Sequence, residues 1–138
     1  MLVPGVSRMT AYNDIIAAVS ALRASDANEA ETRFKVIDEV VMRVLGWAKE
    51  DIHVEERVSE DGKDQFLDYL IQTAQTSILI EAKRARVDFT GLPQTGRAKL
   101  KGSWLRGDLQ KAVKQARDYG RRKSVGFCAV TNGDGWII

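Results

Sequence analysis

Cysteine and histidine are almost missing from this 138-residue chain, which has a single Cys128 and a single His53. One cysteine cannot close an internal disulfide, and with one histidine it cannot furnish a zinc cluster. No apolar run approaches the roughly 18 residues that a bilayer-spanning helix needs, so a membrane-spanning reading is excluded. The N-terminus has no basic stretch followed by a sustained apolar one, so no secretory signal is expected and the expected location is cytoplasmic. Internal repeats and low-complexity tracts are absent. The glycines between 91 and 107 are not followed by G-K-[S/T], which rules out a phosphate-binding loop of that kind. What is present suits one mixed domain around one core, at 44% hydrophobic and 29% charged residues.

The net charge of +2 conceals a division. Residues 1–83 carry 9 Lys/Arg against 15 Asp/Glu, whereas residues 84–123 carry 12 against 3. A basic segment of that density suits a polyanionic partner such as nucleic acid, although charge runs are commonly no more than solvated surface.

Hydrophobic spacing gives the elements. Tyr12, Ile15, Val19 and Leu22 recur at helical intervals and predict an amphipathic helix from Thr10 to Arg23. Asn28 and Glu31 read as a capping box that opens a second helix running to about Leu45. Its apolar face is expected to centre on Phe34, Ile37, Val41 and Val44, with Gly46 as C-cap. Strands are predicted at Ile52–Val58, Phe66–Ile71 and Ser77–Ala82, the last two apolar enough to be central and covered on both faces. A polar turn, Ser59-Glu60-Asp61-Gly62-Lys63, separates the first two. Residues 84–107 read as a long irregular segment, which in a compact domain points to function or disorder. A helix then begins near Asp108 with Leu109, Ala112, Val113, Ala116 and Tyr119 on one face. Val125–Val130 is a further strand, and Trp136-Ile137-Ile138 starts another after the turn Asn132-Gly133-Asp134-Gly135. The order is that of an α/β fold with helices around a mixed sheet.

Two acids interrupt the apolar strands, Asp68 in the second and Glu81 in the third, where an unpaired charge is costly. Glu81 and Lys83 are two apart and so share a strand face. If strands two and three form a hairpin, Asp68 and Glu81 come side by side, and a cation between them would keep both ionised. Oxygen ligands of this type suit Mg²⁺ or Mn²⁺, and the lysine could then serve a water attacking a phosphodiester. The plainer alternative is a surface ion-pair cluster at strand ends.

Several pieces occur together in one order: Asn28-Glu29-Ala30-Glu31-Thr32, Leu45-Gly46-Trp47, Leu67-Asp68-Tyr69, Ile80-Glu81-Ala82-Lys83, Gln115-Ala116-Arg117-Asp118-Tyr119 and Thr131-Asn132-Gly133. In this the chain resembles the PD-(D/E)XK nucleases, and in particular the N-terminal nuclease domain of type I restriction enzyme R subunits. Leu67 stands where the family name has proline. The resemblance implies a restriction-endonuclease-like αβββαβ core over residues 27–138, preceded by a helical extension over 1–26. It further implies that Asp68, Glu81 and the Ala82 backbone carbonyl hold Mg²⁺ (with Mn²⁺ able to substitute), and that Lys83 serves the nucleophilic water. Gln115 and Tyr119 match the Q-x-x-x-Y motif of the RecB-like branch, which lies near the active site; core packing is the alternative for Tyr119. The family often adds a glutamate from the first core helix. At about 100° per residue, Glu29 lies nearer the apolar side than Glu31, which is occupied with capping, so Glu29 is the expected one.

Arg84, Arg86, Lys99, Lys101 and Arg106 are the expected contacts to a DNA backbone, with Trp104 able to stack on a base or to tuck onto the core. His53 reads as a surface residue and Cys128 as a small core hydrophobe. The expected function is a Mg²⁺-dependent deoxyribonuclease domain of restriction or anti-phage defence type. The chain is expected to be a piece of a larger protein with helicase/ATPase and specificity modules as partners. The alternative is a non-catalytic nucleic-acid-binding or assembly module that keeps the fold.

Overall fold

The computed structural model describes residues 8–60, 62–89, 91–93 and 96–138. Asp61 of the expected polar turn, and Thr90, Gln94 and Thr95 of the expected irregular segment, lie outside the described residues. Among those described, no helix is long and apolar enough to cross a membrane.

The chain opens with α1 (Arg8–Ala24), followed by a continuous helix, α2 (29–44). A five-stranded mixed sheet follows, with β1 (Ile52–Glu60), β2 (Lys63–Gln72) and β3 (Ser77–Ala82) as an antiparallel meander. Among the described residues, the segment after β3 is irregular apart from a 3₁₀ turn at Gly102–Trp104. Helix α3 (Gly107–Lys123) then carries the chain back so that β4 (Phe127–Thr131) pairs parallel to β3. A short β5 (Trp136–Ile137) closes the sheet order β1-β2-β3-β4-β5. Parallel pairing requires a crossover of this kind, whereas the antiparallel pairs need only tight turns.

The two faces of the sheet bury different helices. Leu67, Leu70, Leu79, Val130 and Ile137 pack with Leu109, Ala112, Ala116 and Tyr119 of α3. Tyr69, Ile71, Ile80, Ala82 and Ala129 pack with Ile37 and Val41 of α2. The α3 stripe expected from the spacing is therefore the one that is buried. Helix α1 lies outside α2, with Ile15, Val19 and Leu22 against Val36. Tyr12 departs from the expected stripe at 56% exposure, and Ala11 takes the inward position instead.

Helix α2 corrects one expectation. Phe34, placed at the centre of the apolar face by the spacing, is 74% exposed. The cause is a widened helix. After one α-helical turn, Glu29–Thr32, the stretches Arg33–Ile37 and Val40–Val44 are π-helical. The Asp38 N–H donates to the Arg33 carbonyl and the Leu45 N–H to the Val40 carbonyl, each five residues back. Wider turns change which residues share a face. The fully buried positions become Thr32, Val36, Ile37 and Val41, spaced by four or five. Asn28 caps the helix as expected, its Oδ1 accepting from the Glu31 N–H at 2.9 Å. The Glu31 side chain does not complete the box; it accepts from Lys35 Nζ at 3.3 Å.

The Thr131-Asn132-Gly133 turn ties these layers together. Buried Asn132 donates from Nδ2 to the Val87 carbonyl at 2.9 Å, and its Oδ1 accepts from the N–H groups of Asp134 and Gly135. The Lys83 N–H donates to the Thr131 carbonyl at 2.8 Å, which extends the β3–β4 pairing to the residue after Glu81 and Ala82. Gly133, at φ +92°, approaches α2 so closely that a Cβ there would lie 2.9 Å from Val36 Cγ1. Replacing Asn132 by alanine strands three backbone groups, each costing about 1–3 kcal/mol when left unpaired in the interior. Urea denaturation of Asn132→Ala should therefore show a loss of at least about 2 kcal/mol.

Candidate metal centre and basic surface

Strands β2 and β3 stop pairing where the acids begin. The β2–β3 register ends at Tyr69↔Ile80, and one step further it would set Asp68 opposite Glu81. The Lys83 N–H points to β4, so the Ala82 N–H points to β2, where the register would offer it the Leu67 carbonyl. It meets the Asp68 side chain instead: Oδ2 accepts from the Ala82 N–H at 2.7 Å. A carboxylate thus occupies the next rung of the ladder, and the hairpin places the two acids side by side as the pattern predicted.

Both acids are buried, and each is paired with an internal cation. Arg33 Nη1 reaches Asp68 Oδ1 at 3.3 Å. Lys83 Nζ donates to Glu81 Oε1 at 2.8 Å. The second Glu81 oxygen, Oε2, is buried with no hydrogen-bond partner among the described residues. Burial raises the Asp68 carboxyl to about 6, against the pull of the Ala82 N–H and nearby Arg33 and Lys83. Burial first, and then the charge of Asp68, raises Glu81 to about 7, with Lys83 opposing. The Lys83 ammonium is desolvated, which alone would lower its pKa, but its bond to Glu81 carries it above the ordinary lysine value.

Helix α2 supplies the remaining side of the site. Its Thr32 hydroxyl accepts from the Ala85 N–H at 3.1 Å, tying the first helical turn to the chain just after Lys83. Half-buried Glu29, in that turn, adds negative charge that bears on Asp68, Glu81 and Lys83 alike. Two residues that the sequence reasoning passed over also belong here. Arg33 lies 5.0 Å from the centre of the Tyr69 ring and bonds Glu55, and Tyr69 Oη donates to Asp38 Oδ1 at 2.5 Å. Arg33 directly follows Glu31-Thr32 in the helix-opening motif; that adjacency was the available signal. Nothing in the sequence marked Glu55, because only the strand register brings it to Asp68.

The other expected residues are distributed around this centre. Gln115 Nε2 donates to Tyr119 Oη at 2.9 Å, so the Q-x-x-x-Y pair is joined to itself. Both line a cleft of about 420 Å³ with Gln65, Lys111, Lys114, Asp118 and Arg122, and Tyr119 also belongs to the buried stripe of α3. Arg84 and Arg86 are each paired with Asp26, at 3.7 and 3.5 Å, and Arg86 also donates to the Arg23 carbonyl. Lys99 is exposed. Lys101 stands 5.5 Å from the centre of the half-buried Trp104 ring, and Arg106 donates to the Ser103 carbonyl. His53 is exposed, and Cys128 is half-buried with its thiol pushed up by burial.

Whether the donors fit a divalent cation can be judged from their chemistry. Among the described residues no group of three or more His, Cys, Asp or Glu side chains is placed to hold a metal ion together. The candidate set is two carboxylates and a backbone carbonyl, which falls below that count. Glu81 Oε2 is the fitting feature, since a buried anionic oxygen without a donor is what a hard cation satisfies. No family model, curated protein or solved structure matches the chain.

The two raised carboxyls have a consequence for stability. In the folded chain they keep protons that ordinary carboxylates of the unfolded chain have lost, so their contribution is full at low pH. It is lost as the pH rises through about 6 and then about 7. With chelator present, the unfolding free energy should fall by about 2–4 kcal/mol between about pH 5 and pH 8. Glu81→Gln, unfolded by urea at the same pH values, should show a clearly flatter dependence.

Proposed function

We propose that the chain is a Mg²⁺-dependent deoxyribonuclease domain of PD-(D/E)XK type, hydrolysing DNA phosphodiester bonds in restriction or anti-phage defence. The observation that carries this reading is the unpartnered Glu81 Oε2 beside Asp68, at the open end of the β2–β3 pair. The order helix, three antiparallel strands, helix, parallel strand supports it, being the order of an αβββαβ core.

In this reading Asp68, Glu81 and the Ala82 carbonyl hold the cation. When bound, it supplies charge against that building on the phosphate and lowers the pKa of nearby water. The Ala82 N–H fixes the Asp68 carboxylate, so one oxygen keeps a set direction. Lys83, held by Glu81, is placed to orient a water and to donate toward developing negative charge. Glu29 adds negative charge on the helix side of the same site. Lys99, Lys101 and the cationic cleft along α3 hold the DNA backbone without reading its sequence.

One observation favours the alternative, a nucleic-acid-binding or assembly module that keeps the fold without cutting. Each acid already has an internal cation, Arg33 for Asp68 and Lys83 for Glu81. Plasmid DNA incubated with the protein and Mg²⁺ or Mn²⁺ separates the two. The natural chain should nick or linearise it, and Asp68→Ala and Lys83→Ala should each slow this by roughly a hundredfold or more. Cleavage surviving both substitutions overturns the nuclease assignment. Salt-sensitive DNA binding without cleavage by any form supports the module.

A further inference from the structure

One guanidinium nitrogen is shared between two carboxylates. Arg33 Nη1 donates to Glu55 Oε1 on β1 and also reaches Asp68 Oδ1 on β2 at 3.3 Å. The Glu55 contact is the closer, and the Asp68 contact lies at the long end of the range for a charged pair. Arg33 is also held independently of Asp68, by the face of Tyr69 at 5.0 Å. Tyr69 is fixed in turn by its bond to Asp38.

The sheet register explains why these groups meet. β1 pairs with β2 on both sides of one missing pair, Glu55 with Asp68. Glu55 has φ +52°, a left-handed conformation that side-chain-bearing residues rarely adopt. The next pair along, on β2 and β3, would be Asp68 with Glu81. Three acids on three adjacent strands therefore stand at one level, with Arg33 serving the first two and Lys83 the third.

A cation seated on Asp68 and the Arg33 guanidinium repel each other at this range, and only one can dominate the carboxylate. Arg33 can yield Asp68 without leaving its place, because Glu55 and Tyr69 still hold it. We propose that Arg33 is a positioning residue that competes with the divalent cation for Asp68, with Glu55 as the acceptor that takes up the shared nitrogen when the cation binds. Arg33 then neutralises the buried acid while the site is empty and sets the cation level at which it fills. This rests on the metal-site reading above.

The test is calorimetric titration of Mn²⁺ into the full chain at one mildly alkaline pH, with thermal melts to confirm folding. Arg33→Gln should bind Mn²⁺ about tenfold more tightly, and Arg33→Lys, which keeps the charge, should stay near the natural affinity. Glu55→Gln changes an exposed side chain and removes the negative charge that competes with Asp68 for Arg33, so it should weaken binding by about threefold or more. That weakening should shrink to near nothing when Arg33→Gln is also present. Equal or weaker binding by Arg33→Gln overturns the proposal, as does an equal gain in Arg33→Lys or a Glu55→Gln effect that persists in the double variant. If Asp68→Asn abolishes binding in these cases, the metal site itself stands and only the role of Arg33 falls. If neither the natural chain nor Arg33→Gln takes up Mn²⁺, the metal reading and this inference fall together.

Discussion

The Asp68 carboxylate accepts a backbone N–H at the position where a β-ladder would supply a carbonyl, and much of the surrounding structure answers to that substitution. A buried side-chain acceptor satisfies the Ala82 N–H but brings a charge into the sheet, where desolvation opposes it. Glu81 on the neighbouring strand adds a second. The two would repel strongly without countercharge, and each is supplied with one: Arg33 from α2 and Lys83 from the end of β3. One oxygen of Glu81 is still left without a donor. That residue of unmet demand is what gives the site chemical potential beyond an internal ion pair.

Delivering Arg33 to this place is the task of α2. The Thr32 hydroxyl anchors the helix to Ala85, and the widening that begins at Arg33 turns Ile37 and Val41 onto the sheet and Val36 toward α1. The same widening leaves Phe34 outside. π-helical segments are costly and short as a rule, and they concentrate at functional sites. Here two of them lie in the helix that overlies the acids. On the opposite side, Asn132 and the Thr131 carbonyl hold the chain that leaves β3. The charge division along the sequence acquires a spatial meaning too. Some of the basic residues after Lys83, notably Arg84 and Arg86, are held by Asp26 from the acidic portion. The cations of α3 around Gln115 line an open cleft.

Much of the fold was legible because it depends on local patterns. The limits of β3 followed from an apolar run, the α3 face from helical spacing, the Asn28 cap from residue type and the β4–β5 turn from its glycines. The acids were legible because a charge inside an apolar strand is conspicuous. Face assignment failed where it assumed one helical period throughout: the 100° wheel cannot register a change to five-residue hydrogen bonding at Arg33. Tyr12 failed for a related reason, since α1 is amphipathic only relative to what packs on it, and Ala11 is the residue buried in its place.

By itself, then, the sequence determined the element order and the hairpin that brings Asp68 and Glu81 together with Lys83, because strand period and turn chemistry act over a few residues. Tertiary structure decided the rest of the site. Glu55 reaches Arg33 only through the β1–β2 register, and Arg33 reaches Asp68 only through the packing of a widened helix. Such contacts join residues that are distant along the chain, and their energies depend on burial, which no local pattern encodes. Which oxygen would be left without a partner was likewise a matter of how many cations the packed layers could bring within reach.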